Sequence, residues 1–278
     1  MSLSITNFYI LILIITGICV GFATGLLGVG GGFILVPVQF WLLESMGINS
    51  TIAIRVAFGT SLAVILPTAI SGAYGHYYRR CVLVKPAIIL GIFGFFGGLL
   101  GGVIASNVPG EYLRLIFGFL LIGVAIQMIT YRNRTSKKKK VENIYCYVMW
   151  GLIAGTLSGL LGIGGGVILV PILVLIMGFT VLEAIGTSTA VIIFTSIGGI
   201  LSYIINGWGV EGLPPYSLGY VNLLQMVILI LFTVPMAQIG LRAAHKLPEK
   251  YLKIIFVVII LYMALKMIGV FNWLNLPL

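Results

Sequence analysis

Residues 17–37 read GICVGFATGLLGVGGGFILVP, and residues 151–171 read GLIAGTLSGLLGIGGGVILVP. The two stretches share Gly17/Gly151, Gly21/Gly155 and Gly25/Gly159, three glycines at 30–32 and 164–166, and a closing Pro37/Pro171. A second block follows in each half, GTSLAVILPTAISG at 59–72 and GTSTAVIIFTSIGG at 186–199. A third, PGEYLRLIF from Pro109 and PEKYLKIIF from Pro248, closes each. Three blocks in one order make the chain a tandem of two homologous units, 1–131 and 145–278, joined by a basic linker at 132–144.

Composition sets the solvent in which these units fold. Apolar residues are 60% of 278, charged residues 8%, and the mean hydropathy is +1.19. A soluble domain carries roughly 25% charged residues, so this chain cannot cover itself with solvated side chains. In hydrocarbon only helices or closed barrels satisfy the backbone, and the apolar runs are too long for strands. The runs are 8–27, 33–44, 52–76, 86–106 and 112–131 in the first unit. In the second they are 145–161, 165–178, 182–206, 219–241 and 251–270. The expectation is an all-α, polytopic integral membrane protein of the cell membrane. Runs 33–44 and 165–178 are shorter than the roughly 20 residues that span a bilayer, so each either folds back as a re-entrant hairpin or crosses as a short helix.

The net charge of +10 is unevenly placed. Six of the 16 basic residues (Arg132, Arg134 and Lys137 to Lys140) fall in the linker. A short basic loop between apolar runs marks a cytoplasmic face and its anionic lipids. No basic stripe interleaves with aromatics, which argues against nucleic acid. Cys19, Cys81 and Cys146 are odd in number and far apart, with neither metal spacing nor a disulfide framework. Met1 to Asn7 has no basic n-region, so the first apolar run reads as part of the mature protein.

Loop charge also orients the units. If 79–85 (Arg79, Arg80, Lys85), 132–140 and 242–250 all face the cytoplasm, the loop at Pro109 faces outward while its counterpart at Pro248 faces inward. Equivalent loops on opposite faces imply inverted repeats, as in many secondary transporters.

The triglycines are where helices should break. A glycine costs about 1 kcal/mol in a helix interior, and irregular backbone at membrane depth is tolerated only inside protein or a watery cavity. A break supplies a new helix N-terminus with unpaired N–H groups and about half a positive charge, which binds an anion without a buried lysine. Gly30, Gly31 and Gly32 with Gly164, Gly165 and Gly166 are therefore the candidate cradle, whereas Gly17 and Gly21 follow the small-xxx-small spacing of helix packing. Thr60 and Ser61, with Thr187 and Ser188, add adjacent hydroxyls that either donate to a ligand or bond within their helix. Arg55, one turn into its run, either attracts an anion or snorkels to the interface.

All six acids fall near segment ends, and His76 and His245 read as interfacial. Gln127, Gln225, Gln238 and Asn206 read as helix-to-helix hydrogen bonders. With no His/Cys/Asp cluster in the membrane runs, nothing calls for a metal, a cofactor or catalysis.

On GLLGVGGGFILVP at 25–37, GLLGIGGGVILVP at 159–171 and the two GTS blocks, the chain resembles the TauE/SafE sulfite-exporter family (TSUP) over its whole length. The resemblance implies export of sulfite or organosulfonates such as sulfoacetate across a prokaryotic plasma membrane. Carried over, the pocket would comprise the six glycines with Thr60, Ser61, Thr187 and Ser188.

Overall fold

The structure, a computed structural model, describes residues 3–27, 30–130, 143–243 and 249–270. Ten helices run through them. The first five are α1 (Leu3–Leu27), α2 (Gly32–Ser45), α3 (Ser50–Tyr78), α4 (Val84–Asn107) and α5 (Gly110–Thr130). The rest are α6 (Ile144–Leu161), α7 (Gly166–Pro171), α8 (Val181–Asn206), α9 (Leu223–Ala243) and α10 (Glu249–Ile268). A π turn, Ile172–Ile176, prolongs α7. A hairpin of β1 (Ser217–Leu218) and β2 (Val221–Asn222) precedes α9. Gly28, linker residues 132–142, His245, Lys246 and Pro248 lie outside the described residues.

Among the described residues, seven helices are long and apolar enough to cross a membrane, which makes the chain an all-α polytopic membrane protein. The two short runs appear as α2 and as α7 with its π turn, each below spanning length. α3 is the most enclosed span, 78% buried, and α8 follows at 56%. These two form the interior.

Packing exchanges partners between the halves. α6 lies along α4, and α1 along α9. Gly151 sits at Leu90, Gly155 at Gly94 and Gly159 at Gly98, so α6 and α4 run parallel. Gly17 at Leu229 and Gly21 at Thr233 make α1 parallel to α9. Glycine allows this approach: a Cβ on Gly151 would stand 2.7 Å from the Leu90 carbonyl oxygen. The repeat-related helices α3 and α8 instead cross antiparallel, with Gly59 at Tyr203, Leu62 at Gly199 and Gly72 at Thr189.

The crossing has two distinct ends. At one, the Arg79–Lys85 loop meets the start of α8, where a Cβ on Gly186 would stand 2.6 Å from the Cys81 carbonyl oxygen. At the other, the hairpin gathers with Arg55 and the C-terminus of α4.

Candidate functional site

Both triglycines break the chain. Gly30 and Gly31 take φ of 83° and 71°, and Gly164 and Gly165 take 81° and 85°. This left-handed region costs an L side chain roughly 1–2 kcal/mol, so only glycine adopts it freely in succession. Each break then opens a helix. The first paired amides of α2 are those of Ile34 and Leu35, both donating to the Gly31 carbonyl. In α7 they are Ile168 and Leu169, donating to Gly165. The amides before them have no intrahelical partner.

The two breaks meet in the buried interior. A Cβ on Gly32 would stand 2.7 Å from Ile163 Cα and 2.8 Å from the Gly162 carbonyl oxygen. Two isoleucines, Ile65 on α3 and Ile192 on α8, cover them: a Cβ on Gly164 would stand 3.0 Å from Ile65 Cγ2 and 3.2 Å from Ile192 Cγ2. Beside each break stands a hydroxyl from the preceding helix. Thr24 Oγ1 would lie 2.5 Å from a Cβ on Gly31, and Ser158 Oγ 3.6 Å from one on Gly165. Both oxygens are buried without a hydrogen-bond partner among the described residues.

The two GTS threonines hold backbone amides at the starts of other helices. Thr60 Oγ1 accepts from the Asn222 amide at 2.9 Å, and Asn222 Oδ1 in turn accepts from the Gln225 amide at 3.0 Å, capping α9. Thr187 Oγ1 accepts from the Leu83 amide at 3.1 Å, at the start of α4. Thr60 thus anchors the start of α9, and Thr187 the start of α4. Ser188 donates to the Ile185 carbonyl at 3.0 Å, and Ser61 Oγ is buried without a hydrogen-bond partner among the described residues.

Arg55 makes three hydrogen bonds, one from each guanidinium nitrogen. Its Nε donates to Ala105 O at 3.2 Å, Nη2 to Val108 O at 3.1 Å and Nη1 to Tyr220 Oη at 3.1 Å. A cation on the last carbonyls of α4 is the favourable sense of the helix dipole.

On the Arg79 side of the breaks lies a cavity bounded by Thr24, Gly30, Thr68, His76, Thr189 and Gln238. It offers about 30 Å³ to the centre of a water molecule, room for about two waters. Thr68 Oγ1 donates to Val64 O at 3.0 Å, and Gln238 Nε2 reaches Ser71 Oγ at 2.5 Å. His76, read from sequence as interfacial, is 9% exposed and faces this space. α3 continues to Tyr78, which keeps His76 a half turn inside the helix.

A sequence profile for the sulfite exporter TauE/SafE matches residues 13–267. The chain belongs to the TauE/SafE family. It is 31% identical over 261 residues to a "Probable membrane transporter protein" of Methanocaldococcus jannaschii, covering 92% of this chain and 94% of that one. A Haemophilus influenzae protein of the same description is 30% identical over 265 residues, 93% and 98% of the two chains. YdhB of Bacillus subtilis, also described as a probable membrane transporter, is 27% identical over 249 residues, 88% and 92%. No solved structure matches. With seven candidate spans and these relatives, this TauE/SafE protein is a multi-pass membrane transporter.

The sequence motifs of this TauE/SafE member mark the glycines but leave Thr24, Ser158, Thr68 and Thr195 unmarked. Their signal was available: Thr24 and Ser158 occupy matching places in the first block, and Thr68 and Thr195 in the second. Thr195 Oγ1 donates to the Gly164 carbonyl at 3.0 Å, tying α8 to the second break. Gln225 and Gln238 bridge helices as expected, to Tyr9 and Ser71, whereas Asn206 turns back on Ser202 of its own helix. Lys266 lies over the Trp41 ring at 4.5 Å, and the three cysteines are free.

Proposed function

We propose that this transporter exports a small sulfur oxyanion or organosulfonate, sulfite and sulfoacetate being the leading candidates. Two inverted repeats alternate access around an anion site at the paired glycine breaks. The observation that carries this reading is the meeting of two left-handed glycine breaks, each opening a helix whose first amides lack intrahelical partners. Two helix N-termini converging on one place bring about one full positive charge between them, in a setting from which water is largely excluded. The hydroxyls of Thr24 and Ser158 add donors without adding charge.

Inversion is supported by the antiparallel crossing of the repeat mates α3 and α8, since a twofold relating antiparallel helices lies across them. It is supported also by the exchange of partners between α1 with α9 and α6 with α4. On this reading the Arg79–Lys85 loop faces the cytoplasm and the hairpin faces outward. Residues 1–131 and 145–278 form the two repeats.

The test is uptake into proteoliposomes. Labelled sulfite or sulfoacetate should accumulate saturably, and should do so more slowly with Thr24→Val, which removes one donor. Accumulation no faster than in protein-free vesicles for both anions would overturn the substrate assignment.

A further inference from the structure

We propose that a second anion vestibule, lined by Ser158, Gly164, Thr195 and Ser196, lies on the hairpin side of the breaks and is sealed by the ring of Tyr203. The proposal rests on the alternating-access reading above and names the outward half of that site.

The first vestibule is the cavity containing Thr24, Gly30, Thr68, Ala69 and His76. Aligning the repeats of the sequence turns these positions into Ser158, Gly164, Thr195, Ser196 and Tyr203. Thr24, Thr68 and His76 keep polar mates and Ala69 becomes Ser196, whereas Thr189 and Gln238 on the cavity side give way to Leu62 and Leu99. The difference is at the mouth. His76 borders open space, whereas Tyr203 is fully buried, and its hydroxyl donates to the Gly159 carbonyl at 2.9 Å. The Tyr203 ring also meets Tyr220 edge-on, centroids 6.4 Å apart and planes at 81°.

Arg55 locks this closure. Through Tyr220 Oη, Ala105 O and Val108 O it ties α3, the hairpin and the end of α4 together. The corresponding positions on the cavity side are Leu182 and Cys81, which cannot build such a clamp. α4 is pressed against α8 on the sealed side, where a Cβ on Gly98 would stand 2.5 Å from the Thr195 carbonyl oxygen.

The sealed half is nonetheless chemically unfinished. Ser158 and Ser196 are fully buried, and both hydroxyls lack a hydrogen-bond partner among the described residues. A buried donor is ordinarily satisfied, and these two sit where the mates of cavity-lining residues belong. Their partners arrive when Tyr203 swings away and water or an anion enters.

Thiol protection tests this on the full chain, with Cys19, Cys81 and Cys146 replaced by serine. Ala69→Cys and Ser196→Cys are each exposed to a charged, membrane-impermeant methanethiosulfonate, in intact cells and in inverted membrane vesicles. Ala69→Cys should react from the Arg79 side. Ser196→Cys should be slow while Tyr203 is present. Tyr203→Ala should raise its rate from the hairpin side by more than about tenfold, since the ring that fills the mouth is gone. Tyr203→Phe should raise it by about fivefold, the factor carried by one net hydrogen bond.

Equal reactivity of Ser196→Cys with and without Tyr203 would overturn the proposal. So would reaction of both cysteines from the same face, or continued protection in Tyr203→Ala while Ala69→Cys keeps its rate and so reports an intact fold. Failure of sulfite and sulfoacetate uptake would leave this labelling pattern untouched, so the two readings fail separately.

Discussion

Gly31 and Gly165 hold matching places in the repeats and matching left-handed backbone, yet their surroundings differ. A Cβ on Gly31 would stand 2.5 Å from Thr24 Oγ1 and would collide with a Val20 methyl. One on Gly165 would find nothing closer than 3.3 Å. Both alanine substitutions bear the left-handed penalty of roughly 1–2 kcal/mol, but only Gly31→Ala adds a steric one. Gly31→Ala is therefore expected to lower the melting temperature of the detergent-solubilised protein more than Gly165→Ala does, as read by a thermal-shift assay. Thr60 is decided by a different kind of neighbour. Thr60→Val leaves the buried Asn222 amide unpaired, a cost of about 1–3 kcal/mol, while Thr60→Ser keeps the acceptor. Melting of the anion-free protein should fall for valine and hold for serine. A valine variant with unchanged melting and weaker sulfite stabilisation would return Thr60 to the ligand. The GTS motif was visible in the sequence as a repeated feature. Its role was not, because Asn222 is 162 residues away.

Among the elements, the breaks were the most legible. Three consecutive glycines followed by a short apolar run leave a helix few alternatives, and α2 and α7 begin at Gly32 and Gly166. The π turn after Pro171 was not legible. Proline has no amide to offer the helix, but Pro37, its repeat mate, sits inside an ordinary α-helix. The long helices owe their pairing to small residues. Gly155 faces the backbone of Gly94, and Gly97 and Gly101 interleave with Thr156 and Leu160. A leucine at 155 would force α6 off α4, and overpacking of this kind costs roughly 1–3 kcal/mol. Gly155→Leu is expected to lower the melting temperature and broaden the size-exclusion peak. A substitution to leucine at Gly123, where a Cβ would meet nothing within 4 Å, should change neither.

At the scale of the whole molecule, the question is whether the anion moves by turnover or through an open pore. Ile65 and Ile192 close over the breaks, each 1% exposed, and Tyr203 with the Arg55 clamp closes the hairpin side. Among the described residues these barriers leave no continuous watery route, and under the proposed function each anion waits for a conformational step. Sulfite uptake should therefore saturate and should accelerate when sulfoacetate is loaded inside the vesicles. Discrete single-channel currents carried by sulfite in planar bilayers would count against turnover.

Hydropathy and glycine placement are properties of a line of residues, and they sufficed for the membrane class, the helical content and the points where helices break. What the line could not convey was which groups meet across it. Arg55 has partners 50, 53 and 165 positions away, and those bonds turn a candidate anion attractor into a clamp. His76 and Tyr203 hold matching positions four residues past the two similar blocks, yet one borders a cavity and the other is fully buried with its hydroxyl on the Gly159 carbonyl. On the buried side α4 packs closely on α8, on the cavity side Gln238 is held on Ser71, and such packing exists only once the helices are assembled.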